Sequence, residues 1–289
     1  MSQQTDFPDD LNGFAGVRLS GPGGTTAFVA QQGAQVLSWR DSGGKERLYL
    51  SPQAEGMKRG DPVNRIYPSI RAGMPVCFPQ FSGRGLIMKH GFARGMSWQR
   101  KTASEGGAFL LSDDDLTRQH WPHAFSAELT ATLSEDALTV VLEIVNRDHS
   151  PWPFTCALHT YLAVGDVRNT RIDGLKGVTY QDATAENVEV VQQEDMASIP
   201  GEVDRVYMCS PREVTLLEDG RPSLSIRQSG FEDTVVWNPG PEKARALKDV
   251  PDEDWLRMLC IEAAQAARPV LLQPGQIWRG SQTLQVARN

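Results

Sequence analysis

Short runs of alternating polar and apolar residues, broken by Gly, Pro, Asp and Asn, recur along the chain. A period of two predicts strands with one buried face. Residues 25–32 (TTAFVAQQ) and 34–39 (AQVLSW), on either side of Gly33, read as strands. FSAELTATLSE (125–135) alternates, and DALTVVLEIVNRD (136–148) follows an acidic turn, so the two predict a hairpin. PFTCALHTYLAV (153–164) is a longer apolar run, and ARPVLLQPGQIWRGSQTLQV near the end reads as two strands around Pro274-Gly275. Many short strands between turn signals predict an all-β, antiparallel β-sandwich with few helices. One segment departs from this. Residues 252–267, including EDWLRMLCIEAAQAA, are rich in good helix formers, and local propensity predicts a helix there. The first ten residues are expected to form a flexible tail, and residues 11–289 a single domain.

Composition narrows the function more than the fold. At 289 residues, 40% hydrophobic and 22% charged, the chain has material for a sizeable core and no signature of disorder. A net charge of −7 weighs against general nucleic-acid binding. No apolar run approaches the roughly 20 residues of a membrane span. The start, MSQQTDFPDD, does not read as a secretory signal, so a cytoplasmic protein is expected. Cys77, Cys156, Cys209 and Cys260 are scattered, with neither a CxxC pair nor metal-ligand spacing. Reduced thiols and no metal are the expectation.

The charge is unevenly placed. Between Lys58 and Lys101 stand nine basic residues and one acid, Asp61, a net +8, against −15 for the rest of the chain. Such a patch can draw an anion into a cleft, and the planar fork of arginine suits phosphate. It could equally be a solvated face. Tyr67, Phe78, Phe81, Phe92 and Trp98 lie among Pro and Gly as core residues do, so a single-strand nucleic-acid platform is disfavoured.

Two polar residues interrupt apolar runs. His159, in FTCALHTYLAV, shares a face with Ala157 and Tyr161 if the run is a strand. It reads as a satisfied core histidine or as an acid–base group. Glu262, in MLCIEAA, is costly to bury unless paired. Burial raises a carboxyl pKa, which makes a useful base, while Arg257 and Arg268 offer ion pairing instead. His90 precedes Gly91 in a turn-like KHGFAR, whereas His120, His123 and His149 lie in polar loops and read as exposed. Phosphate loops, metal sites and Ser or Cys nucleophile signatures are missing. What remains is acid–base chemistry without a cofactor, or binding alone.

Five blocks carry a resemblance: IRAGMPVCFPQF (70–81), KHGFARGMSW (89–98), ALHTYLAVGDV (157–167), DTVVWNPGPEKA (233–244) and RMLCIEAA (257–264). In this order they resemble the hexose-6-phosphate mutarotases, a branch of the aldose 1-epimerase superfamily. The resemblance implies a galactose-mutarotase-like supersandwich and a strand, not a helix, through Glu262, with at most a short helix at 252–257. It implies His159 as catalytic acid and Glu262 as catalytic base in opening and reclosing the sugar ring. Arg71, Arg94 and Asp204 become sugar or phosphate contacts, and His90 a cavity residue. It further implies a hexose 6-phosphate substrate, no cofactor and a monomer. Two positions depart from the family pattern. Ala72-Gly73 stands for the usual Gly-Gly, acceptable if Ala72 needs no positive φ. Lys89 stands where Gln is common and adds a cation to the binding set. Unphosphorylated sugars as substrates, or a non-catalytic sugar-phosphate binder, are the alternative readings.

Overall fold

The computed structural model describes residues 7–54, 66–101 and 107–287. Lys58, Arg59, Asp61 and Arg65 of the basic stretch, and residues 1–6 of the expected tail, lie outside the described residues.

The alternating segments form the strands they predict. Phe125–Ser134 and Ala137–Asn146 pair along their full length, with Asp136 at positive φ in the acidic turn. Phe125, Ala127, Leu129 and Ala131 point inward together with Leu138, Val140, Leu142 and Ile144. Thr26–Ala30 pairs with Val36–Arg40, and Met258–Leu272 and Ile277–Val286 flank the Pro274-Gly275 turn. All strand pairs are antiparallel among the described residues, in sheets of four, eight and nine strands. One buried cluster takes residues from all three, among them Val29 and Trp39, Leu129 and Leu142, and Leu158 and Ile261. The helices are short: Asp115–His120, closed by an Asp114–Thr117 capping box, and Gly240–Ala246. This is the expected mutarotase-like β-sandwich with few helices.

Two local expectations are corrected. Asp9 and Asp10, placed in the flexible tail, belong to a strand, Asp9–Leu11, paired with Phe14–Ser20. Asn12 and Gly13 both take positive φ in the turn between them. Such a two-residue Asn-Gly turn matches the twist of a hairpin. The two aspartates are spent on it: Asp10 accepts from Gly13 N–H at 2.7 Å and Asp9 from Arg18 N–H at 2.7 Å. The second correction concerns 252–267. Only Asp254–Leu256 forms a 3-10 turn, and the strand begins at Met258. This strand lies between Asp233–Asn238 and Trp152–Leu158 in the eight-stranded sheet, and its residues 258–266 are buried. Burial of both faces hides the period-two signal, and its alanines suit a crowded central strand as well as a helix.

That central strand is also what divides core from site. Leu259, Ile261 and Ala263 enter the main core. Cys260 and Ala264 face the other way, each into a small cluster of its own, and Glu262 lies between them. The 153–164 run does the same, with Leu158 and Leu162 in the core and Ala157 and Tyr161 on the opposite face. It is two strands, Trp152–Leu158 and Tyr161–Ala163, interrupted at His159-Thr160.

Gly73 ties this face to the segment carrying Arg71. It takes φ +48°, its N–H donates to Tyr49 O, and its carbonyl accepts from Tyr161 N–H at 2.7 Å. Ala72 is not at positive φ, so the Ala72-Gly73 departure is accommodated. A Cβ on Gly73 would stand 1.8 Å from the Val36 carbonyl oxygen. Gly73→Ala is therefore expected to lower unfolding free energy by roughly 1–3 kcal/mol or more, as strained backbone does. Urea unfolding checks this, and a midpoint equal to that of the parent chain would contradict it.

Candidate active site

His159 sits where the Trp152–Leu158 and Tyr161–Ala163 strands part, so its side chain leaves the sheet without losing strand register on either side. Its N–H donates to Pro75 O at 2.9 Å. The next residue fixes the corner. Thr160 Oγ1 donates to Gln282 Oε1, Gln282 Nε2 donates to Ile261 O at 3.0 Å, and Ile261 N–H donates to Thr160 O at 3.2 Å. The loop bearing His159 and the strand bearing Glu262 are thus fastened by one buried glutamine from the nine-stranded sheet. Around the imidazole, Tyr161 stacks at 4.7 Å between ring centroids with 5° between planes, and Trp237 presents an edge. His90 is 5.3 Å away.

Glu262 is 1% exposed. Its Oε1 is 3.3 Å from His159 Nδ1, a distance that fits a proton-sharing pair. The orientation nevertheless fails hydrogen-bond geometry: His159 Nδ1 and Glu262 Oε2 are both buried without a hydrogen-bond partner. Neither arginine of the ion-pair reading reaches Glu262. Arg268 donates to Cys209 Sγ, and Arg257 is exposed.

The fold brings all seven residues singled out from the sequence to one cavity: His159, Glu262, Arg71, Lys89, His90, Arg94 and Asp204. Arg71 is oriented by Asp249, to which its Nε donates at 2.9 Å, and by Tyr161, whose hydroxyl accepts from Nη1 at 3.3 Å. Arg94 lies in the 3-10 turn Ala93–Gly95 and donates to the Lys89 carbonyl at 3.1 Å. His90 holds φ 68°, and its Nδ1 accepts from the Ser82 N–H at 3.3 Å and lies 3.2 Å from Cys77 Sγ. The remaining ring nitrogen of neutral His90 is then the N–H donor. Lys243, on the helix Gly240–Ala246, also lines the cavity and pairs with Glu202 at 2.9 Å. Sequence reasoning left Asp249 and Lys243 unassigned, although Lys243 belongs to one of the five blocks. The rest of the basic stretch divides. Arg84 donates to Gln181 and to the Ala266 carbonyl, and Lys101 pairs with Glu128. His120 and His123 prove half-buried, not exposed, and His123 packs edge-on against Trp121.

Electrostatics set the proton inventory. Burial, with Asp204 adding to it, pushes the Glu262 carboxyl well above its usual pKa, while Arg94 and Lys89 pull the other way. Burial first, then Arg94 and Arg71, holds His159 well below the ordinary histidine value. Both shifts follow from removing charge from water. A His159 that acts first as acid, the role the resemblance implies, needs a second proton, and desolvation disfavours it. His90 is likewise depressed, by burial and then by His159. At rest, burial favours the uncharged form of each group, the carboxylic acid of Glu262 and the neutral imidazole of His159.

The class defined by this fold and cavity is that of sugar-ring epimerases on an antiparallel sandwich. The chain belongs to the aldose 1-epimerase family, whose model matches residues 16–285. A protein of Cenchrus ciliaris named "Putative glucose-6-phosphate 1-epimerase" is 32% identical, over 93% of this chain and 84% of its own length. One of the same name from Salmonella typhimurium is 30% identical, over 91% and 87%. The crystal structure of a "putative mutarotase (YeaD)" from Salmonella typhimurium superposes with a TM-score of 0.85 at 27% identity, covering 100% of this chain and 96% of that one.

A titration tests the proton inventory. In nitrogen-detected NMR, the His159 and His90 rings are expected to remain neutral as pH falls through 6.5, taking up their protons only below it. A His159 ring already protonated at pH 7 would contradict the assignment.

Proposed function

We propose that this chain interconverts the α and β anomers of a hexose 6-phosphate, with His159 and Glu262 as the acid–base pair. The observation that carries the proposal is the buried His159–Glu262 contact at 3.3 Å on a cavity that Arg71, Lys89, Arg94 and Lys243 also line. The names of the two relatives support the substrate class.

Mutarotation needs a proton delivered to the ring oxygen and another taken from the anomeric hydroxyl. These oxygens share one carbon, so two groups about 3 Å apart can serve both within hydrogen-bond reach. From the resting state, Glu262 gives its proton to the ring oxygen while neutral His159 accepts the hydroxyl proton. The bond from C1 to the ring oxygen breaks and leaves the aldehyde. Rotation about C1–C2 presents the other carbonyl face. Closure then returns both protons, with His159 now the acid and Glu262 the base; in the opening step this exchanges the roles that the family resemblance implies. Arg71, His90 and Asp204 hold sugar hydroxyls, and His90 does so through its free N–H. Arg94 and Lys89 receive the phosphate, with Lys243 as a third cation. The Gln-to-Lys difference at position 89 on this reading strengthens the phosphate side.

Glu262→Gln and His159→Ala are each expected to lower enzyme-driven exchange of glucose 6-phosphate anomers by at least about 10²-fold, the scale of a lost acid or base. Magnetisation-transfer NMR reads the exchange, and circular dichroism checks the fold. Near-parental rates in either variant would sink the assignment. For the phosphate, Arg94→Ala is expected to raise KM for glucose 6-phosphate about tenfold or more, the scale of a charge-assisted hydrogen bond, while leaving that for glucose nearly unchanged. Equal losses on both sugars would remove Arg94 from phosphate recognition.

A further inference from the structure

Cys260 and Glu262 alternate on the same face of the Met258–Leu272 strand, and His159 stands at the end of the adjacent strand. One donor atom from each, a sulfur, a carboxylate oxygen and an imidazole nitrogen, all lie within 4.8 Å of one another. Three ligands at about 2.0–2.3 Å from one tetrahedral ion lie about 3.3–3.8 Å apart, so side-chain rotation has to draw the widest pair in by about 1 Å. All three residues are buried, and both His159 Nδ1 and Glu262 Oε2 lack a hydrogen-bond partner. A buried polar atom without a partner is costly, and a metal ion would satisfy both at once.

We infer that His159, Cys260 and Glu262 form a site for a thiophilic divalent cation, Zn²⁺ above all, that switches the enzyme off. Nitrogen, sulfur and carboxylate donors suit zinc, and three protein ligands leave a fourth position toward the cavity for water or a sugar hydroxyl. Binding expels one proton from the Cys260 thiol and one from the Glu262 carboxyl, while His159 coordinates as the neutral base. The thiolate and carboxylate cancel the dication, so the complex is neutral despite Arg71 and Arg94 nearby. The bound ion occupies the lone pairs that the proton shuttle needs. This inhibitory consequence rests on the acid–base function proposed above; the binding itself does not.

The test uses the full chain and two readouts. Equilibrium dialysis is expected to show one Zn²⁺ per chain, and Co²⁺ is expected to give the thiolate-to-metal absorption that only a sulfur ligand produces. Anomer exchange is expected to fall in step with Zn²⁺ occupancy and to return on adding EDTA. Cys260→Ser, with Cys260→Ala as a second variant should serine disturb the core, is expected to keep exchange in EDTA. Either variant should lose the cobalt band and weaken zinc binding by more than about tenfold, the smaller cost of losing even an outer partner of a metal ligand. Absence of the cobalt band in the parent chain overturns the site. So does a band that survives in Cys260→Ala but disappears in Cys77→Ala, which would put the ion on the Cys77–His90 pair. A cobalt band without loss of exchange would keep the site and overturn its inhibitory role, and exchange absent even in EDTA would count against the acid–base function alone.

Discussion

The arrangement depends on one electrostatic constraint, a carboxyl group placed in the middle of a central strand without a cation or a hydrogen-bond donor on Oε2. An isolated carboxylate in a dry medium costs on the order of tens of kcal/mol, so such a group keeps its proton instead. That single fact raises the proton affinity of Glu262 well above that of an ordinary carboxyl group. Burial acts on the facing histidine in the opposite sense and favours the neutral imidazole of His159. The two groups are matched because both are buried, with Tyr161 stacked on the imidazole and Trp237 edge-on to it.

A pair of this kind is useful only if the two groups stay in reach. The sheet supplies that rigidity more than the pair does. His159 lies in the break between two strands that both pair with the Glu262 strand, and the Gln282 side chain crosses from the other sheet to bond to both neighbourhoods. Buried side-chain networks that are fully satisfied specify one arrangement, and this one is satisfied at Thr160, Gln282 and Ile261. His159 Nδ1 and Glu262 Oε2 are two of the five buried side-chain polar atoms without a hydrogen-bond partner among the described residues.

Much of this was legible in the chain. The face shared by Ala157, His159 and Tyr161 follows from a period of two and is the face observed. The Phe125–Asn146 hairpin shows the same alternation and needs no other information. The central strand was not legible from local pattern, since Ala263 and Ala264 are small where strands pair with them on both sides, and a propensity scale reads alanine as helix. The five-block resemblance carried what propensity lost. Other features depend on contacts between residues far apart in sequence. Asp249 acts through Arg71, 178 residues away, and Gln282 through Thr160, 122 residues away. The same holds for Cys260 beside His159. Ligand-spacing rules look for donors close in sequence, and a set assembled from adjacent strands escapes them.

The cations that favour an anionic substrate also act on the proton pair. Arg94 and Lys89 lower the proton affinity of both His159 and Glu262. On the proposed reading, a bound phosphate dianion offsets their charge, and the proton affinity of both groups rises with substrate in place. For Glu262 this deepens the protonated resting state; for His159 it makes the imidazole a better acceptor for the anomeric proton. An unphosphorylated sugar fills the cavity without cancelling those charges, so it meets a weaker base. Phosphate recognition and proton transfer are then two effects of one charge distribution, and substrate preference would appear in kcat as well as in KM.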